Sequence, residues 1–239
     1  MDINFFSAKS SSFFKTFSAI HILALMSIAI LSISLLYILK NKSDRDKKIF
    51  RLILGCFALI LQISYDIWLI VNENFTIKES LPLNICSVSL ILVFILFLTK
   101  NRIVFSVQYF WGIIGSSYAL IFPNIIHNFP HFRFVEYFLA HGVILFSVFY
   151  FLFIEKYTIT IKSAVAAYIF SVFYLGIVFV INLIIGSNYL FLMKKPQFAS
   201  FLDLFGDYYR FGLLLVILIM FIVLYIPFIL RGIYMRNRK

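Results

Sequence analysis

The 239-residue chain is 63% hydrophobic, with 31 phenylalanines and only 13% charged residues. That composition excludes an ordinary soluble domain. A formal charge of +11 is no nucleic-acid footprint here, because basic residues that flank membrane spans hold orientation and meet anionic lipid.

A helix of about 20 apolar residues crosses the hydrocarbon core of a bilayer. Seven such spans are predicted, at 17–39, 49–71, 81–99, 103–122, 135–154, 163–185 and 211–230. The expected class is all-α, a polytopic helical membrane protein forming a single transmembrane domain over 1–239, in the cell membrane. The first run is too long for a signal-peptide core and no small-residue cleavage site follows it, so it reads as a retained helix. No internal repeat or low-complexity linker interrupts the chain. Connections are short and polar except the apolar run 186–210, expected to be a re-entrant or interfacial segment. Alternate connections differ in Lys and Arg, fourteen against seven, and the richer set includes the cluster Lys40, Lys42, Arg45, Lys47, Lys48 and Arg51. Basic residues favour the cytoplasmic side, which predicts an amino terminus outside.

On that topology the polar side chains of the spans gather toward the outer ends. His21 lies in the first span, Gln62 and Asp66 in the second, and Asn84 and Cys86 open the third. Ser116 and Ser117 follow in the fourth, Glu136 and His141 in the fifth, and Asn182 near the end of the sixth. Polar groups inside a span are costly unless they pair or act, so this layer predicts a polar pocket facing the outer leaflet. Cys56 and Cys86 fall near opposite faces, too far apart for a disulfide. Zinc-ligand spacing is absent, and no metal or other cofactor is implied.

Cys86 and His141 are the expected catalytic pair. Counted from the predicted span ends, they lie about 8 Å and about 9 Å deep, and an imidazole beside a thiol can take its proton and create the nucleophile. Asp66, supported by Gln62, should be paired either with His141 or with Arg133 or Lys78 at the rim. Glu136 is expected to be solvated or paired with Arg133. The Gly112–Ser116 stretch suits close helix packing. His127 and His131 have no carboxylate or thiol close in sequence, and interfacial solvation is expected there. Arg133, Lys194 and Lys195 are candidates for lipid head-group phosphate.

Four ordered blocks, LPLNIC (81–86), YFWGIIGSSYALIFP (109–123), FPHFRFVEYFLAHG (129–142) and NYLFLMKKP with ASFLDLFG (188–206), resemble the bacterial YwaF-like integral membrane proteins. That family is similar to the eukaryotic transmembrane protein 164, an acyltransferase acting through a cysteine acyl-enzyme, and more distantly to the androgen-induced lipid hydrolases. The resemblance implies a nucleophile at Cys86 and a histidine base at His141. It also shows departures: Asn84 stands where bacterial members commonly have His, and Ser87 where the eukaryotic relative has His. The expected function is thus a membrane-embedded lipid acyltransferase or lipid-ester hydrolase with membrane lipids as partners, Asp66 or Asn182 orienting the imidazole and Asn84 near the oxyanion. The alternatives are a lipid or small-molecule transporter and a sensor or scaffold. Oligomeric state is not legible in the sequence.

Overall fold

A computed structural model describes residues 5–8, 13–195 and 201–236. Of the basic residues counted for orientation, Lys9, Arg238 and Lys239 lie outside the described residues, as do residues 196–200 of the apolar run. Seven α-helices follow one another: α1 Ala19–Lys40, α2 Asp44–Val71, α3 Ile85–Thr99, α4 Arg102–Ile121, α5 Phe132–Phe153, α6 Ile161–Ile185 and α7 Tyr209–Arg236. The described residues form no strand, and six of the helices are long and apolar enough to cross a membrane. The chain is a multi-pass membrane protein.

The helices begin where the sequence supplies acceptors for first-turn N–H groups. Ser18 caps α1, Ser43 caps α2, Asn101 accepts from Ile103 and Val104, and His131 caps α5 through its ring. Thr160 and Ser163 form a reciprocal capping box on α6, which ends on Gly186 in the left-handed conformation (φ 66) that glycine adopts without strain.

The chain divides into two compact units, Met1–Phe75 with Ile85–Tyr157, and Thr76–Asn84 with Thr158–Lys239. In the first unit α5 is central, with 67% of its span buried against 6% for α1. Its fully buried rings include Phe97, Phe105, Phe110, Tyr150 and Phe151. Gly112 lets α4 close on α5: an added Cβ there would lie 3.0 Å from Val148 and 3.3 Å from Ile144. At one end of this unit Glu155 binds Arg51 (2.6 Å), Lys100 and the Tyr150 hydroxyl (3.1 Å). These contacts join α2 to the ends of α3 and α5.

In the second unit, Leu175, Val178, Tyr189 and Leu192 form a core on which parts of α7 pack. The run 186–210 contributes two short 3-10 segments, Tyr189–Phe191 and Phe201–Tyr208, and Arg210 donates to the Leu192 carbonyl (2.6 Å). Residues 76–84 belong to this unit. The Leu81 N–H donates to the Tyr189 hydroxyl (2.8 Å), and the Tyr174 hydroxyl donates to the Leu83 carbonyl (2.7 Å).

The expected third span, 81–99, is corrected here. Pro82 has no N–H, and the Leu83 N–H turns back to the Leu81 carbonyl (2.7 Å), so 81–84 form a turn and the helix begins at Ile85. At 15 residues α3 is about 22 Å long, short of the roughly 30 Å hydrocarbon core.

Candidate functional site

The shortened α3 moves Cys86 from the second turn of the expected span to the first turn of the helix, where N–H groups lack intrahelical acceptors. Its thiol is free and half-buried. It packs on the backbone of α4: a Cβ added at Gly115 would lie 3.4 Å from Cys86 Sγ. A small residue at 115 leaves room beside the sulfur. Gly115→Ala is expected to retain the fold, since 3.4 Å is an ordinary contact. Gly115→Leu should cost about 1–3 kcal/mol through overpacking and close the approach to Sγ. Iodoacetamide labelling in a Cys56→Ser background, with thermal melts, reads both effects.

His141 is buried on α5, and its Nδ1 lies 2.7 Å from the Tyr137 carbonyl oxygen. A carbonyl only accepts, so Nδ1 carries the proton and Nε2 presents a lone pair. Among the described residues Nε2 makes no hydrogen bond. The Tyr137 ring lies against the imidazole, tilted by 41° with centroids 4.2 Å apart, and its hydroxyl donates to the Ala119 carbonyl (3.1 Å). Three contacts set the antiparallel register of α4 on α5: Gln108 to Ser147, Gly112 against Ile144 and Val148, and Tyr137 to Ala119. That register carries Gly115 and Ser116 to the level of Ala140 and His141. Cys86 reaches the same level through Gly115. The shared depth therefore comes from helix packing; counting residues from helix starts would separate the two. No hydrogen bond joins Cys86 and His141 among the described residues. Catalytic hydrogen bonds are often long until substrate is bound.

The chain matches the TMEM164 family over residues 15–226. It belongs to that family. The matched range contains Cys86, Gly115, Tyr137 and His141 together. No curated protein and no solved structure matches the chain.

The remaining expected site residues of this TMEM164-family chain have other partners. Asp66 bonds neither His141 nor Arg133; its carboxylate accepts from Gln62 Nε2 one turn earlier on α2 (2.9 Å). Arg133 pairs with Glu136, and its guanidinium stacks 3.9 Å over the Tyr65 ring. That pair satisfies the expectation for Glu136 and removes Arg133 from the head-group candidates, because its guanidinium is buried against protein. Asn182 is committed locally in the second unit. Its side-chain oxygen accepts from Ser187 Oγ and the Tyr189 N–H, and its amide donates to the Tyr189 carbonyl. It fixes the turn after α6. Asn84 and Lys194 are exposed in that unit, and Lys195 pairs with Asp203 (3.3 Å).

His127 and His131 are buried, where solvation was expected. Their rings stack 4.0 Å apart and donate from Nε2 to the carbonyls of Ala8 (3.0 Å) and Ser7 (2.7 Å). Trp68 and Asn72 both donate to the Phe6 carbonyl, so the segment 5–8 is strapped across one end of the first unit. Burial holds His131 below its ordinary 6.5; the bond to Ser7 opposes this, and His127 and Arg133 reinforce it. A ring that stays neutral when folded but protonates when unfolded gives stability that is lost as pH falls below about 6.5. Protonation also displaces the Arg133 N–H that His131 Nδ1 accepts. Thermal melts are expected to fall between pH 7 and pH 5, and His131→Asn should flatten that dependence.

The described residues contain no group of three or more His, Cys, Asp or Glu able to hold a metal ion. Two apolar cavities of about 480 and 380 Å³ lie in the first unit, and neither touches Cys86 or His141. The larger is lined by α1, α4 and α5 and includes Ser117. Sequence reasoning missed Tyr137 and read Gly115 for helix packing alone. A small-residue stretch and the i−4 position before His141 were the only signals available.

Proposed function

We propose that the chain is a membrane-embedded lipid acyltransferase or lipid-ester hydrolase, of the YwaF-like branch, with Cys86 as nucleophile and His141 as base. The observation that carries this reading is His141: Tyr137 fixes its tautomer so that a bare Nε2 is presented at the level of the Cys86 thiol. In the reaction Nε2 takes the thiol proton and sulfur attacks the acyl carbonyl. A carbon–sulfur bond forms as the ester carbon–oxygen bond breaks, and the leaving alkoxide takes the proton from His141. A hydroxyl acceptor or water then enters along the same path in reverse. The Tyr137 carbonyl does the orienting that a carboxylate does in serine and cysteine triads. The substrates are membrane lipids of the cell membrane. The amino terminus lies outside, and the exposed Lys194 is the candidate for head-group phosphate.

Intact-mass analysis of the purified protein with mixed phospholipids tests the reading. Wild type is expected to carry a hydroxylamine-labile acyl adduct, and Cys86→Ala none. If wild type carries no adduct with any lipid class, the catalytic reading fails and the site is one for lipid binding.

A further inference from the structure

Several serines inside these helices resolve their hydroxyls locally. Ser64 donates to the Leu61 carbonyl, Ser106 to Arg102, Ser147 to Ile144 and Ser171 to Ala167, all at 2.6–2.9 Å. A helical serine is satisfied by back-bonding of this kind or by solvent. Ser116 departs from this pattern. Its side chain is fully buried, and Oγ has no hydrogen-bond partner among the described residues. An unmade buried hydrogen bond is destabilising, and nothing in the packing of α4 on α5 requires a hydroxyl there. Its location is informative. Ser116 follows Gly115, whose backbone contacts the Cys86 sulfur, and the α4–α5 register sets it level with His141.

We infer that Ser116 is the oxyanion donor for acyl transfer at Cys86, its O–H binding the substrate carbonyl oxygen as that oxygen takes on negative charge. The inference rests on the function proposed above and adds the group that stabilises its transition state. As sulfur attacks, the carbonyl π electrons move to oxygen and Ser116 donates a hydrogen bond without giving up its proton. When the tetrahedral intermediate collapses, those electrons re-form the carbonyl and the alkoxide leaves with the proton from His141. The N–H groups of the first turn of α3 are the natural second donors, since Cys86 is itself in that turn. A donor with no ground-state partner needs no reorganisation at the moment of reaction, which is what makes such groups effective. Ser89, one turn along α3 from Cys86, is likewise buried without a partner, and it serves as the control position.

The test compares Ser116→Ala, Ser116→Thr and Ser89→Ala in a Cys56→Ser background. Two rates are read for each: acyl-adduct formation from phospholipid, and alkylation of Cys86 by iodoacetamide, a displacement that develops no oxyanion. Ser116→Ala is expected to slow acylation by about 10²–10³, with alkylation and thermal midpoint unchanged or the midpoint raised. Ser116→Thr should restore most of the rate, and Ser89→Ala should acylate like wild type. Acylation by Ser116→Ala at the wild-type rate overturns the inference and leaves the proposed function standing. An equal loss in Ser116→Ala and Ser116→Thr, or a matching loss of alkylation, marks a packing effect and also overturns it. Absence of any adduct on wild type removes the proposed function, and this inference with it.

Discussion

His141→Ala is expected to slow acylation of Cys86 at pH 7 by about 10²–10⁴, the range that a positioned general base supplies. The size follows from the ring's geometry. With Nδ1–H held by the Tyr137 carbonyl at 2.7 Å, Nε2 is the only nitrogen able to accept, and the substitution removes it outright. The deficit should shrink as pH rises, because hydroxide in solution then substitutes for the missing base. A purely structural histidine would show the opposite pattern, a loss of thermal stability with no such recovery. Adduct formation measured from pH 6 to pH 9 on both proteins separates the two. His141→Gln sharpens the comparison, since it keeps a donor near Tyr137 but offers no basic nitrogen.

Glu155→Leu is expected to cost about 3–5 kcal/mol of stability, the usual result of removing one partner from a buried ion pair. Glu155 and Arg51 are each about nine-tenths buried, so the abandoned Arg51 charge cannot hydrate. The double variant Arg51→Met, Glu155→Leu should recover most of the loss, because an apolar pair of similar volume avoids desolvating either ion. Burial alone would raise the Glu155 pKa. The hydrogen bond from Lys100, the charges of Arg51 and Lys100 and the Tyr150 hydroxyl outweigh it and hold the carboxyl below its ordinary 4.5. With the folded value depressed, the cluster contributes fully above about pH 4.5 and is lost as pH falls through the folded value. Thermal melts of wild type and both variants in one detergent check all three expectations.

Much of the fold was legible because hydropathy dominates a membrane helix: a run of apolar residues has few other stable forms in lipid. The start of α3 was not, because Leu81 and Leu83 extend the apolar run upstream of the helix, and the missing proline N–H and a tight backbone turn keep 81–84 out of it. Cys86 and His141 were singled out by their residue types and by a resemblance, yet the packing that brings them to one level was not legible. It depends on how closely α4 approaches at Gly112 and Gly115, a tertiary fact. The partner of Asp66 was misjudged for a related reason. Long-range ionic partners were weighed, while Gln62, four residues earlier on the same face, needed no folding at all to reach it. Asn182 was read for chemistry because amides in spans are rare, when the turn after α6 already used every polar atom it has.

The hydrogen bonds that hold residues 76–84 carry a consequence for biogenesis. The Leu81 N–H is bonded by a tyrosine 108 positions later in the chain, and the Leu83 carbonyl by one 91 later. At the usual pace of elongation, about 5–20 residues per second, those tyrosines leave the ribosome roughly 5–20 s after the turn that needs them. During that interval the segment leading into Cys86 has entered the insertion machinery without its clasp. The turn before α3 is thus finished late, once the carboxy-terminal helices arrive, and truncations after α5 should leave residues 76–84 without these two hydrogen bonds.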